Sequence, residues 1–359
     1  MKTDTVTLDE TDRALVHALQ IDGRAPFRLI GKALGVSENT AARRYRRLRS
    51  AGVLRVVGGL NGARLGYHAW TIRLQCTPDA ATAIAGALAT RADTAYVHLL
   101  SGGTEISCTV QTSTADESEV LLLHKLPRTG RITAVSAHLL LDSHVLPNSW
   151  AGPARLGPDQ AALLAPPVEA SEPVEASEPV EASEPADAAD ASGASDAAGL
   201  SDAAGLSLGP ADRPLLDLLA RDGRTGHAEL AVATGWSEST VRRRLALLRA
   251  AGVLTLLVDV PPAALGFRAE ARLWMSVRPA RLAATAAALA GHPEVSLVAH
   301  TTGPTNLLAA VNCRDSPHLG RYLSTRIAAL DGIRAIETAP VIRTVKRAGA
   351  LLPFDRRAR

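Results

Sequence analysis

The sequence predicts an α+β chain built from two tandem copies of one module, each a trio of helices followed by alternating strands and helices. Three observations carry that prediction. The chain repeats itself at an offset of 200 residues, with 21 of 47 positions identical between 8–54 and 208–254. Apolar residues early in each copy recur at helical spacing, whereas the later apolar runs are short and bounded by Gly and Pro. Between the copies lies a stretch of Pro, Ala, Ser and acid that cannot bury enough apolar surface to offset chain entropy. The repeat is settled first because it sets the folding unit: a duplicated module of roughly 140 residues, not a solenoid of small units.

Each element has its own signal. Leu15 and Leu19 mark the apolar stripe of a first helix that ends near Asp22-Gly23. A short second helix follows Pro26, with Ile30 and Ala33 inward and Gly31 allowing close approach. The second copy keeps these as Leu215, Leu219, Leu230 and Ala233, and sets Pro214 in the first helical turn, where a missing N–H is harmless. Gly35-Val36-Ser37 is a tight turn whose Ser37 caps a third helix, and Gly52 and Gly252 close that helix where a left-handed residue is favoured. Strands are then expected over 67–76 and 267–277, and helices over 80–89 and 281–290. Strand pairs follow at 95–100 with 106–111 and at 295–300 with 307–311. Helices at 117–126 and 317–330 and final strands at 132–141 and 333–342 complete a βαββαβ order, which is the ferredoxin-like pattern. The expected divisions are 1–57 and 208–258 for the helical domains, 58–147 and 259–350 for the sheet domains, and 148–207 for a disordered acidic linker.

Composition narrows the function classes. The net charge of +3 hides an asymmetry: no Lys or Arg occurs between Arg155 and Arg213, while eleven carboxylates fall from Asp159 to Asp202. The folded parts are therefore strongly basic, which suggests a polyanionic partner. The linker contains Val-Glu-Ala-Ser-Glu-Pro three times and Ser-Asp-Ala-Ala-Gly-Leu twice. Cys76, Cys108 and Cys313 stand alone without ligand spacing and read as small core hydrophobes in a reducing cytoplasm. No apolar leader follows Met1, and the longest uncharged run, 295–313, is broken by Thr-Thr-Gly-Pro-Thr-Asn, so neither export nor membrane insertion is expected. A cytoplasmic, nucleoid-associated protein fits this pattern.

The third helix carries the chemistry. It reads Ser37-Glu38-Asn39-Thr40-Ala41-Ala42-Arg43-Arg44-Tyr45-Arg46-Arg47-Leu48-Arg49. Its counterpart reads Ser237-Glu238-Ser239-Thr240-Val241-Arg242-Arg243-Arg244-Leu245-Ala246-Leu247-Leu248-Arg249. Ala41, Tyr45 and Leu48 form one inward face, as do Val241, Leu245 and Leu248, and the arginines fall elsewhere. A short helix, a three-residue turn and a capped basic helix make a helix-turn-helix, whose second helix enters the major groove of double-stranded DNA. Arg43, Arg46, Arg47, Arg242 and Arg243 suit guanine edges or phosphates, and Ser37, Asn39, Thr40, Ser237, Ser239 and Thr240 lie near the helix start where base edges would be. Arg44 and Arg244 are either DNA contacts or braces against the acidic first helix. Arg24 and Arg224 either reach phosphate or cap a carbonyl.

The order Asp22-Gly23-Arg24, short helix, Gly35-Val36-Ser37-Glu38-Asn39-Thr40, Arg43-Arg44, Leu48, Ala51-Gly52-Val53-Leu54 resembles the Lrp/AsnC (feast/famine) transcriptional regulators. Leu65-Gly66-Tyr67 and Leu265-Gly266-Phe267 lead into the segment that resembles their effector-binding and oligomerisation domain. The resemblance implies a winged or three-helix DNA-binding domain, a small-molecule effector of amino-acid type, and assembly into oligomers. The duplicated chain would supply an intramolecular pseudo-dimer with two non-identical heads. It also implies an effector site near Gly102, Thr104 and Glu105, and near Gly303, Thr305 and Asn306. The family's Gly-x-x-Asp is replaced in both loops, which puts amino-acid sensing in question. The same fold is similar to sirohaem decarboxylases, for which His98 and His300 would be the candidates. No Ser-His-Asp order, zinc spacing, P-loop or dinucleotide loop occurs, so no enzyme, metal or cofactor is expected. In an enzyme the Arg-rich third helices would be unexplained.

Overall fold

A computed structural model describes residues 8–91, 93–112, 114, 117, 119, 130–145, 150, 152, 155–165, 208–348, 350 and 351. Most of the expected helix at 117–126 and most of the linker, including its repeats, lie outside the described residues.

In the first copy, helices α1 (Glu10–Ile21), α2 (Phe27–Leu34) and α3 (Glu38–Ser50) form the head. Asp9 and Asp12 make a reciprocal capping box at the start of α1. Gly35 takes the left-handed conformation (φ 68°) that ends α2, and the Ser37 hydroxyl accepts the Thr40 N–H to start α3. Strand β1 (Arg55–Leu60) follows. The sheet domain comprises β2 (His68–Cys76), α4 (Ala81–Ala89), β3 (Thr94–Leu100), β4 (Glu105–Thr112) and β5 (Ile132–Val145). A short helix α5 (Pro158–Ala162) precedes the second copy. That copy contains α6 (Asp212–Arg221), α7 (His227–Thr234), α8 (Glu238–Ala250), β6 (Leu254–Asp259), β7 (Ala269–Val277), α9 (Leu282–Ala290), β8 (Val295–Thr301) and β9 (Leu307–Cys313). Helix α10 (Ser316–Arg321) runs on as a π-helical turn to Ile327, and β10 (Ile333–Arg347) and β11 (Ala350–Leu351) end the described chain.

Both sheet domains have the ferredoxin-like strand order, β5-β2-β4-β3 and β10-β7-β9-β8. Ile72, Leu74, Val97, Leu99, Ile106 and Val110 pack under α4, and Leu273, Met275, Val298, Ala309 and Val311 pack under α9. The last strands are longer than the sequence suggested. Up to Leu140, β5 pairs with β2 of its own copy, and from there to Val145 it pairs with β8 of the other. Likewise β10 pairs with β7 as far as Pro340 and with β3 from Val341 to Lys346. In β5 the apolar run stops at Leu141, where the partner copy takes over the hydrogen bonding, whereas in β10 Val341, Ile342 and Val345 continue it into the stretch that pairs with β3. Eight strands are thereby linked into a ring through β5–β8 and β10–β3, and that pairing covers part of each outer edge that would otherwise invite edge-to-edge association.

The heads are joined in the same reciprocal way. Strands β1 and β6 pair antiparallel with Val57 opposite Leu257, so the local twofold passes through equivalent residues. Val258, Val260 and Leu265 from the second copy enter the first head's core, and Leu60 and Leu65 pack against the second head's. These two strands lie outside the elements expected from the sequence, and β1 crosses the expected 57/58 division. A second correction concerns the linker. Residues 155–165, assigned to the disordered segment, form a strap on the first head: Leu156 and Leu164 are buried in its core and the Gln160 amide donates to Ala33 O. Two leucines anchored by a helix with Pro at its start are enough to dock a stretch whose average composition is polar.

Candidate nucleic-acid interface

The two third helices present the expected faces. Ala41, Tyr45 and Leu48 in α3, and Val241, Leu245 and Leu248 in α8, are buried. Because 3.6 residues complete a turn, burying one stripe turns the rest outward. Ser37, Asn39, Arg43, Arg46 and Arg47 are exposed, as are Ser237, Ser239, Arg242 and Arg243, while Thr40 and Thr240 are half-buried. The Ser37 and Ser237 hydroxyls are engaged at the caps, each within 2.9 Å of the following Thr hydroxyl. Two exposed cations that the sequence reading passed over, Arg28 and Lys32, lie on α2. Their four-residue spacing, which puts both on one helix face, was the available signal.

Four of the proposed arginines are placed elsewhere. Arg44 Nη1 lies 2.6 Å from Asp9 and 2.9 Å from Asp12, and Arg244 holds Asp212 through Nε at 2.7 Å and Nη2 at 2.6 Å. They brace the third helix against the first, the structural alternative left open by the sequence. Arg44 holds the Asp9 carboxyl below the usual carboxylate range. Burial pushes Asp212 up, but Arg244 and the Gly209 N–H outweigh it and its pKa is lowered. Arg47 shares the same acid, 2.5 Å from Asp12, yet stays about half exposed.

Arg24 and Arg224 face the seam between the heads rather than the outer face. Arg24 donates to Gly223 O at 2.8 Å and Thr225 O at 2.9 Å, and Arg224 donates to Gly23 O at 2.7 Å and Ala25 O at 3.0 Å. Arg224 also stacks over Phe27, 4.5 Å from the ring centroid. The arrangement is reciprocal, as are the ion pairs Arg49–Asp222 (2.7 Å) and Arg249–Asp22 (2.8 Å). Burial, then the neighbouring Arg224 and Arg249, hold Arg24 below the usual guanidinium range. Each guanidinium satisfies two carbonyls that the turn after a first helix would otherwise leave without partners.

The loops named for an effector differ between copies. Gly102 and Gly103 have positive φ, and the Thr104 hydroxyl donates to Ser101 O. Glu105 is buried and accepts Arg73 Nε at 2.6 Å. The same guanidinium grips Glu337 at 2.6 and 2.9 Å and lies 3.8 Å over Trp274. In the other loop the Asn306 amide makes two bonds to the Val277 backbone, and Thr305 O accepts the Thr301 hydroxyl. Gly303 passes so close to His138 that a Cβ there would overlap the ring. The Thr104, Glu105 and Asn306 side chains are thus engaged within the protein. Among the histidines, His98 is buried between Arg272 (2.7 Å) and Thr344 (3.1 Å), and burial, then Arg272 and Arg347, keep it neutral.

Comparison with known proteins agrees with this geometry. The AsnC-type helix-turn-helix domain matches residues 8–49 and 210–249, and the Lrp/AsnC ligand binding domain matches 270–351. The regulatory protein AsnC of Escherichia coli is 32% identical over 142 residues, which are 38% of this chain and 93% of that protein. The transcriptional regulator FL11 of Pyrococcus horikoshii is 30% identical over 142 residues, 39% of this chain and 92% of that protein. Among solved structures, the siroheme decarboxylase NirDL aligns over 95% of this chain and 93% of its own, with a TM-score of 0.57 at 13% identity, so the whole tandem fold is shared. Among the described residues, no helix is long and apolar enough to cross a membrane. With both heads and the second sheet domain matched, the chain belongs to the Lrp/AsnC family of helix-turn-helix transcriptional regulators.

Proposed function

We propose that this regulator binds double-stranded DNA as an intramolecular pseudo-dimer, one chain offering both heads to two half-sites. The observation that carries the reading is the pair of capped helices, α3 and α8, with exposed Arg43, Arg46, Arg47, Arg242 and Arg243 on heads clasped by reciprocal Arg24 and Arg224. In that arrangement the N-terminal turns of α3 and α8 meet base edges, through Asn39 and Thr40 in one head and Ser239 and Thr240 in the other. A small-molecule effector of amino-acid type, acting near Gly102–Glu105 and Gly303–Asn306, and assembly into larger homo-oligomers complete the proposal, in keeping with the ligand-binding domain match. Cytoplasmic, nucleoid-associated placement goes with it.

Fluorescence titration of duplex DNA across a salt series tests the reading. Log affinity falls linearly with log salt, by about 0.9 for each phosphate neutralised. Replacing Arg43 and Arg47 with Ala costs more affinity than replacing Arg242 and Arg243. Salt-independent binding contradicts the proposal.

A second reading has one observation behind it, the whole-chain likeness to a siroheme decarboxylase. Tetrapyrrole turnover or a bound tetrapyrrole absorption band in the purified chain would favour it. The arginine ridges argue for DNA.

A further inference from the structure

The heads share a fold and a cap but not an outer surface. Helices α2 and α3 carry seven Arg and Lys against one acid, whereas α7 and α8 carry four against two. Arg44 and Arg244 brace the first helices, and Arg49 and Arg249 cross the seam. What remains exposed on these helices is Arg28, Lys32, Arg43, Arg46 and Arg47 on one head, and Arg242 and Arg243 on the other. Arg47 also pairs with Asp12, and the second head's first helix, α6, adds exposed Arg213 and Arg221. At the positions matching Arg28, Lys32, Arg46 and Arg47 the second head has Ala228, Val232, Ala246 and Leu247, and Val232 and Leu247 are solvent-exposed. These are differences of charge between the copies rather than of core packing.

The base-facing turn diverges as well. The first head has Asn39 and Ala42, and the second has Ser239 and Arg242. Asn pairs bidentately with adenine, and Arg with guanine. The reciprocal seam presents the two surfaces together, in one fixed arrangement.

We infer that the chain reads an asymmetric, directional operator. Resting on the DNA-binding reading above, the inference assigns the first head to a half-site gripped mainly through phosphates and specified by adenine opposite Asn39. The second head takes a half-site specified by guanine opposite Arg242, with fewer cations on its helix-turn-helix to grip phosphate. A homodimer of identical heads has no such polarity, because its twofold imposes a palindrome.

The test uses the full chain and a library of random duplexes, selected at low salt and then sequenced. The selected site is compared with two palindromes, each built by repeating one of its halves. The asymmetric site binds roughly 10-fold or more tightly than the second-head palindrome, the order expected for one lost bidentate contact. Asn39→Ala relaxes base preference in one half only, and Arg242→Ala in the other only. Both residues are exposed, so the variants keep the fold, which circular dichroism checks. A selected site that is palindromic, or relaxation of the same bases by both variants, overturns the inference while leaving DNA binding intact. Failure to enrich any duplex overturns the DNA reading itself.

Discussion

At the scale of single residues, arginine is used here in three ways that the sequence does not distinguish. Arg43 is exposed on α3, its neighbour Arg44 is spent on Asp9 and Asp12, and Arg24 crosses to the other head. Asp12 is buried and relies on Arg44 and Arg47. Removing Arg44 leaves the buried Asp12 carboxylate with only Arg47 and the Asp9 N–H, and Arg44→Ala is expected to cost about 1–3 kcal/mol in chemical denaturation. Unchanged stability would show that Asp12 is adequately held by Arg47. Asp9 and Asp212 have lowered pKa values, so each contributes stability above the unfolded value of 3.8 that is lost as pH falls through the lower folded value. His98 acts higher. Its folded pKa lies well below 6.5, so its contribution is complete above 6.5 and is lost as pH falls from there toward the folded value, while the unfolded chain gains a proton. Thermal melts between pH 7 and 5 are expected to show that decline, and His98→Gln to flatten it.

At the scale of elements, β1, β6 and the strap connect what the sequence separates. Gly58 in β1 lies against α6, and a Cβ added there would stand 2.9 Å from the Leu219 Cβ. Gly58→Val therefore pushes the two heads apart at the ribbon, and cross-linking between heads should report it as lost proximity. The strap acts on one head only. Leu156 and Leu164 are buried against the first head, and truncating both to Ala is expected to cost about 2 kcal/mol or more from the cavity left behind. Hydrogen exchange should then rise in α1 and α2 and stay unchanged in α6 and α7. Equal loosening of both heads would mean that the seam, not the strap, sets their stability.

At the scale of the whole molecule, the halves have become complementary rather than identical. Arg73 and Trp274 occupy matching positions in β2 and β7, and the guanidinium of one lies on the ring of the other. Two first copies paired with each other would set arginine against arginine there. Arg73 also bridges Glu105 and Glu337, so it ties the sheet domains by charge as well as by stacking. Arg73→Ala leaves Glu105 buried without its cation, and about 3 kcal/mol of stability is expected to go with it. A melt that splits into two transitions would show that this tie makes the halves unfold together.

The sequence by itself determined the duplication, the three-helix heads with their caps, the βαββαβ order and the outward arginines of α3 and α8. The duplication follows from self-similarity along the chain, and the others from periodicity or from a cap residue within a few positions. Only the tertiary structure decided that Arg24 and Arg224 clasp the heads, that Arg44 and Arg244 are braces, that residues 155–165 dock, and that β5 and β10 cross between copies. These depend on partners about 200 residues away or on side chains of another helix, and a guanidinium carries no local mark of which carbonyl or carboxylate it will meet.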